Sequence, residues 1–268
     1  MFDEFNSNDI SAYIVDMKYN VDIAFVVDAT GSMGMENILS IVKQMIPNFY
    51  RELVQALERK DKHVDELRVK VICFRDFLEY KNDRCVLLIE TDFFVLSDKY
   101  NDQSSMLLKG IESIEAIGGG DIPEDGLEAL ARAMQSDWCK PLPNRRRRHI
   151  IVLFTDAPTH ELGHGKDCEL YPPNMPSDFG ELIRMWGNQA YHANSMEYST
   201  KRLILFIPQI NKLPENDGWR RIVNGRMNAN GDIIEKPWEN SRTIQFDPKG
   251  GFKTINFQSI FDQIVNSV

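Results

Sequence analysis

Four kinds of feature are scarce in this chain, and each scarcity excludes a class of protein. Cysteine comes first: Cys73, Cys85, Cys139 and Cys168 are spread through 268 residues without a C-x-x-C pair. Such spacing predicts free thiols in a reducing compartment rather than a disulfide framework. Long apolar runs are missing too, and none approaches the ~20 residues that a membrane helix needs. The first residues, Met1-Phe2-Asp3-Glu4-Phe5-Asn6, are acidic where a secretory leader would be basic and then apolar. Both absences predict a cytoplasmic protein with no membrane partner. Positive charge is in deficit: 31 Lys and Arg face 40 Asp and Glu, and the net charge of -9 argues against general nucleic-acid binding. No stretch is rich in Pro, Gly or Ser and no segment repeats. The expected organisation is a lead-in over 1–20 and one domain over 21–268.

Common catalytic signatures are absent as well. There is no G-x-x-x-x-G-K phosphate loop, no G-x-S-x-G nucleophile turn and no H-E-x-x-H zinc helix. What is present is an alternation of strands and helices. The run Ile23-Ala24-Phe25-Val26-Val27 has no polar break, as a parallel strand buried on both faces requires. Further strands are predicted at 67–74, 149–155 and 202–208, with a strand pair or one bent strand at 86–96 and an edge strand at 243–246. Helical periodicity falls at 36–58, 104–114, 126–134, 179–193 and 219–223, and a last helix contains Ile260, Phe261 and Ile264. The alternation predicts an α/β fold, a doubly wound, Rossmann-like three-layer sandwich. Its central sheet is expected to be mostly parallel with one antiparallel edge strand, and helices should cover both faces.

Two of these strands end in an aspartate, Val27-Asp28 and Thr155-Asp156. In a doubly wound sheet the C-terminal strand ends share one edge, where a ligand crevice opens. Thr30 and Ser32 follow Asp28 at alternate positions, and Asp121 stands on the turn Gly118-Gly119-Gly120-Asp121-Ile122-Pro123-Glu124. All these oxygens are hard donors, and none belongs to a nucleophile with an obvious base beside it. The set points to a bound divalent cation before covalent chemistry. The blander alternatives are loop caps, with Ser32 as a helix N-cap and Asp121 with Glu124 as a capping box.

Taken in order, Asp28-Ala29-Thr30-Gly31-Ser32, the Gly-rich Asp121 turn and Phe154-Thr155-Asp156 resemble a known pattern. It is the metal-ion-dependent adhesion site of the von Willebrand factor A-type domain, with Thr30 for the commoner serine and Asp121 where other branches carry threonine. The resemblance implies Mg²⁺, Mn²⁺ or Ca²⁺ held by Asp28, Thr30, Ser32, Asp121 and Asp156. It also implies a protein partner that completes the coordination through an acidic side chain, and a cytosolic adaptor or scaffold rather than an enzyme. Three site carboxylates exceed a divalent charge, so a partner carboxylate is attracted less than at a site with two. The segment Tyr171-Pro172-Pro173-Asn174-Met175-Pro176, with Asp28-Ala29-Thr30-Gly31-Ser32-Met33, is similar to an intracellular bacterial branch tied to Ser/Thr kinase, phosphatase and tellurium-resistance systems. The alternative reading is a metal-dependent phosphatase or hydrolase using a strand-end aspartate. The haloacid-dehalogenase pattern, however, needs a second aspartate where this chain has Thr30.

Two other groupings stand out. His160, His164 and Cys168 recur at i, i+4 and i+8, donors that suit zinc, although Gly163 and Gly165 argue against a regular helix there. Arg145-Arg146-Arg147-Arg148 precedes the strand that ends near Asp156. It is expected at the opposite edge of the sheet from the metal, as a solvated face.

Overall fold

A computed structural model describes residues 18–35, 38–77, 88–96, 101–119, 122–187, 196–247 and 257–268. The first apolar run becomes β1 (Lys18–Asp28), whose last ten residues are all buried. A strand of that kind is stable only with neighbours at both sides and layers on both faces. It pairs in parallel with β2 (Val64–Phe74) and with β5 (Arg145–Phe154). From β5 the sheet continues in parallel to β6 (Lys201–Pro208) and β9 (Ser241–Phe246). Along the outer side of β2 run two short antiparallel segments, β3 (Leu88–Glu90) and β4 (Phe94–Leu96). They are one edge strand interrupted at Thr91, whose N–H donates to Val71 O and whose Oγ1 accepts from Val71 N.

Side-chain alternation along β1 sorts the core into two layers. Ile23, Phe25 and Val27 join one cluster with α1 (Gly31–Met35), α2 (Ile38–Glu58), α3 (Asn101–Glu112) and α7 (Phe257–Ser267). Ala24 and Val26 join the other, with α4 (Gly126–Met134), α5 (Phe179–Gly187) and α6 (Gly218–Asn224). The expected α/β sandwich with helices on both faces is therefore the observed one. The chain leaves β1 toward the α1–α2 layer and leaves β5 toward α5 on the opposite face. Connections that diverge in this way open a crevice at the C-terminal ends of β1 and β5.

Several local expectations shift. The lead-in falls outside the described residues up to residue 17, and Lys18 already opens β1. The four arginines lie inside β5 rather than before it. A hairpin of β7 (Arg226–Met227) and β8 (Ile233–Glu235) was not foreseen, because strands of two and three residues show no periodicity. Its signal was Asn230-Gly231, with Gly231 in the left-handed region at φ 84°. Among the described residues Cys73, Cys139 and Cys168 are free thiols, and no helix is long and apolar enough to cross a membrane.

Candidate metal centre

The register of β1 against β5 places Val27 beside Phe154, so the residues that follow each strand meet at the crevice. There a chain of hydrogen bonds runs from Thr155 to its sequence neighbour Asp156 by way of the loop after β1. Thr155 Oγ1 donates to Asp28 Oδ2 at 2.7 Å. Thr30 donates to Asp28 Oδ1 twice, from Oγ1 at 2.6 Å and from its amide at 2.9 Å. Thr30 Oγ1 lies 3.2 Å from Ser32 Oγ, which donates to Asp156 Oδ1 at 2.9 Å. The structure thus gathers Asp28, Thr30, Ser32 and Asp156, and adds Thr155. Ser32 lies within the first turn of α1 rather than at its N-cap, and its hydroxyl turns to Asp156.

The glycine turn lies against this hydrogen-bonded chain. Gly31 N donates to Gly118 O at 2.9 Å, and Ile117 N to Ala29 O at 3.1 Å. Arg75 fastens the same two loops by donating from Nε to Ala29 O and from Nη2 to Glu115 O. Gly119 has φ 88°, and a Cβ there would stand 3.1 Å from Glu124 Oε1 and 3.2 Å from Thr30 Cβ. Only glycine combines that backbone with so close an approach. Asp121 lies outside the described residues, so its place in the constellation is read from sequence alone.

Glu124 is the functional candidate that sequence reasoning passed over. It was assigned to a capping box, but α4 begins only at Gly126, after Asp125. The backbone of Glu124 is pinned to the loop after β5: its N–H donates to Pro158 O, and its O accepts from His160 N. Its side chain is 3% exposed, and Oε2 is buried with no hydrogen-bond partner. The only available signal was a cluster of acids around Pro123, which looks like any helix start.

Electrostatics separate this edge from an ordinary set of loop caps. Burial, and then the neighbouring Asp156, pushes Asp28 up from 3.8 to about 6. Burial, and then Asp28 and Asp76, pushes Glu124 up from 4.5 to about 10. Buried carboxylates facing one another favour a proton or a cation between them. The donors that meet here are two hydroxyls and the carboxylates of Asp28, Asp156 and Glu124, one oxygen of which is unsatisfied. A hard divalent cation fits that set, because it accepts oxygen ligands only and supplies the missing positive charge.

No protein-family model matches the sequence. Over 147 residues, 55% of this chain, it is 26% identical to an ariadne-like RING finger protein of Acanthamoeba polyphaga mimivirus. Over 160 residues, 59% of the chain, it is 28% identical to the alpha-protein kinase vwkA of Dictyostelium discoideum. The chain spans only 12% and 21% of the length of these relatives. Among solved structures, the pilus adhesin SpaC of Lactobacillus rhamnosus GG aligns over 92% of this chain and 30% of its own, at TM-score 0.49 and 12% identity. Proximal thread matrix protein 1 of the mussel byssus, with zinc in its MIDAS motif, aligns over 94% and 46%, at TM-score 0.41 and 16% identity. Neither likeness bears on the site, whose chemistry stands on the geometry above. Its own strand order and strand-end residues give the chain a Rossmann-like α/β fold with a mostly parallel central sheet.

Proposed function

We propose that this chain is a protein-binding module whose crevice edge holds Mg²⁺ or Mn²⁺ and offers it to an oxygen ligand on a partner. The observation that carries this reading is the hydrogen-bonded chain Thr155–Asp28–Thr30–Ser32–Asp156, which ties two strand ends together through hydroxyls. Thr30 and Ser32 would face the ion directly, while Asp28, Asp156 and Glu124 supply charge. Asp121 would add to them from the same loop as Glu124. So many acids make the edge a weak attractor for a partner's carboxylate, and a neutral oxygen donor fits it better.

Binding rather than catalysis is supported by the state of Asp28. Its side chain is fully buried and hydrogen-bonded at both oxygens, Oδ1 to the amide and hydroxyl of Thr30 and Oδ2 to Thr155, so it is not presented to a substrate as a nucleophile would be. The two relatives are a protein kinase and a RING finger protein of far greater length. Both names suit a domain that brings other proteins to signalling machinery, in line with a cytoplasmic adaptor role.

Two measurements test the reading. Calorimetric titration of the chelator-treated chain with Mg²⁺ or Mn²⁺ should give one binding event that Asp28→Ala removes. Affinity capture should retain a partner with Mg²⁺ and lose it both with chelator and in Asp28→Ala. Capture unchanged in both arms overturns the proposal. Turnover of an aryl phosphate that Asp28→Asn abolishes would replace it with a phosphatase.

A further inference from the structure

We propose that Asp76, Asp125 and His160 form a second metal site, behind the Asp28 edge, for a borderline transition ion of the Zn²⁺ class. The three residues come from separate elements that converge on the same side of the sheet. Asp76 follows β2, Asp125 precedes α4, and His160 lies on the loop after β5. They are 2%, 0% and 8% exposed, and one ligand atom from each lies within 4.8 Å of the other two.

Asp125 shows that this is more than a crowd of acids. It occupies the N-cap position of α4, where an aspartate ordinarily accepts from the first-turn amides, yet its side chain makes no such bond. One of its oxygens, Oδ2, accepts from Phe77 N at 2.5 Å. The other, Oδ1, is fully buried and has no hydrogen-bond partner, an arrangement that asks for a ligand. On the next turn Glu128, also fully buried, has Oε1 held by Gly163 N and Tyr171 Oη, while Oε2 has no partner.

The imidazole is oriented as a metal ligand's is. His160 Nδ1 lies 3.0 Å from His164 Nδ1, which leaves Nε2 directed to Asp76 Oδ2 at 3.8 Å, longer than a hydrogen bond. A second group that fixes one ring nitrogen while the other meets the ion is the usual outer arrangement around a bound metal. The loop carrying His164 can reach this position because Gly165 sits against Phe77, where an added Cβ would stand 2.3 Å from Phe77 Cβ. His160 also borders a cleft of about 300 Å³ with Thr159, Glu161 and Leu162.

The donor set names the metal class. Two carboxylates neutralise a divalent ion, and an imidazole selects Zn²⁺, Mn²⁺ or Co²⁺ over Mg²⁺ and Ca²⁺. The ligand atoms lie within 4.8 Å of one another, His160 Nε2 and Asp76 Oδ2 at 3.8 Å, and close to the ~3.4 Å spacing of tetrahedral 2.0–2.2 Å bonds on binding. The i, i+4, i+8 reading of the sequence is thereby re-sorted: His160 is a ligand, His164 its support, and the remaining ligands come from the residues after β2 and before α4 rather than from Cys168.

The test uses the whole chain, stripped with chelator and titrated with Zn²⁺ or Co²⁺ under saturating Mg²⁺, so that the Asp28 edge is already occupied. Native mass spectrometry should count one transition ion per chain, and Co²⁺ should develop visible absorption. Asp28→Ala should keep that ion, which separates this site from the first. His160→Gln and Asp125→Asn should each bind at least about a hundredfold more weakly, and His164→Ala about tenfold. Circular dichroism and thermal melting of His160→Gln check that it remains folded. No transition ion on the wild-type chain, equal binding by His160→Gln, or binding lost in Asp28→Ala but kept in His160→Gln each overturns the proposal.

Discussion

Asp22 and Asp28 stand on the same strand, six residues apart, on the same face and equally buried, yet their surroundings are opposites. Asp22, in the N-terminal half, is gripped by Arg68 through Nε at 2.8 Å and Nη2 at 2.6 Å, and accepts from Cys139 N. The same pattern holds around it. Arg145 pairs with Asp65, Arg147 with Glu197, and Lys70 and Arg132 with Glu90. Asp28, at the C-terminal end, is held by hydroxyls and one amide, and the charge that acts most strongly on it is another aspartate. At one end the protein carries its own cations, whereas at the other the acids are left for a cation from solution.

The largest expected effect comes from breaking the paired end. Arg68→Met strands Asp22, which is 1% exposed, and should lower the unfolding free energy by about 3–5 kcal/mol in denaturant titration. Asp28→Asn removes charge from the crowded end instead, and should change metal-free stability by no more than about 1 kcal/mol. Equal destabilisation by the two substitutions would erase the contrast.

Acid probes the paired end in a second way. His149, between Trp138 and Cys139, is held neutral mainly by burial, at about 4 against an ordinary 6.5. Between those values the unfolded chain binds a proton that the folded chain refuses. This contribution to stability is complete above pH 6.5 and is lost as pH falls toward 4, by about 3 kcal/mol in all. Thermal melts across that range should show the slope, and His149→Gln should flatten it.

Metal probes the other end. Mg²⁺ at a hundred times its dissociation constant should stabilise the chelator-treated chain by about 2.7 kcal/mol, and Asp28→Asn should cancel the gain. A smaller effect on metal binding is expected from Glu124→Gln. It keeps the shape of the side chain but removes the proton that Glu124, pushed up to about 10, could give up to a bound cation, so Mg²⁺ affinity should fall about tenfold, or about 1.4 kcal/mol, without loss of metal-free stability. Unchanged affinity would remove Glu124 from the edge.

Much of the edge was legible because its parts carry local signals. An apolar run that stops at an aspartate and then alternates hydroxyls reveals both a buried strand and its donors, and the same holds at Thr155-Asp156. Glu124 was misread because Asp-Ile-Pro-Glu is equally a helix start. What decides between the two is a distance to Thr30, ninety-four positions away in sequence. The β5 arginines were expected ahead of the strand, since four charges argue locally against one. They lie in it because Tyr19, Asp65, Glu197 and the carbonyls of Ser267 and Val268 receive them.

The sequence by itself determined the long strands and helices, the burial of β1 on both faces, and the order of acids and hydroxyls along the crevice edge. Periodicity and chemical type are properties of neighbouring residues, and they survive without a fold. Only the tertiary structure decided that Glu124 joins that edge, that Asp22 meets Arg68 while Asp28 meets Asp156, and that His160 finds Asp76 and Asp125. Those outcomes depend on strand order and register, which bring distant positions together and set whether a buried charge meets its opposite, its like or a place for a metal ion.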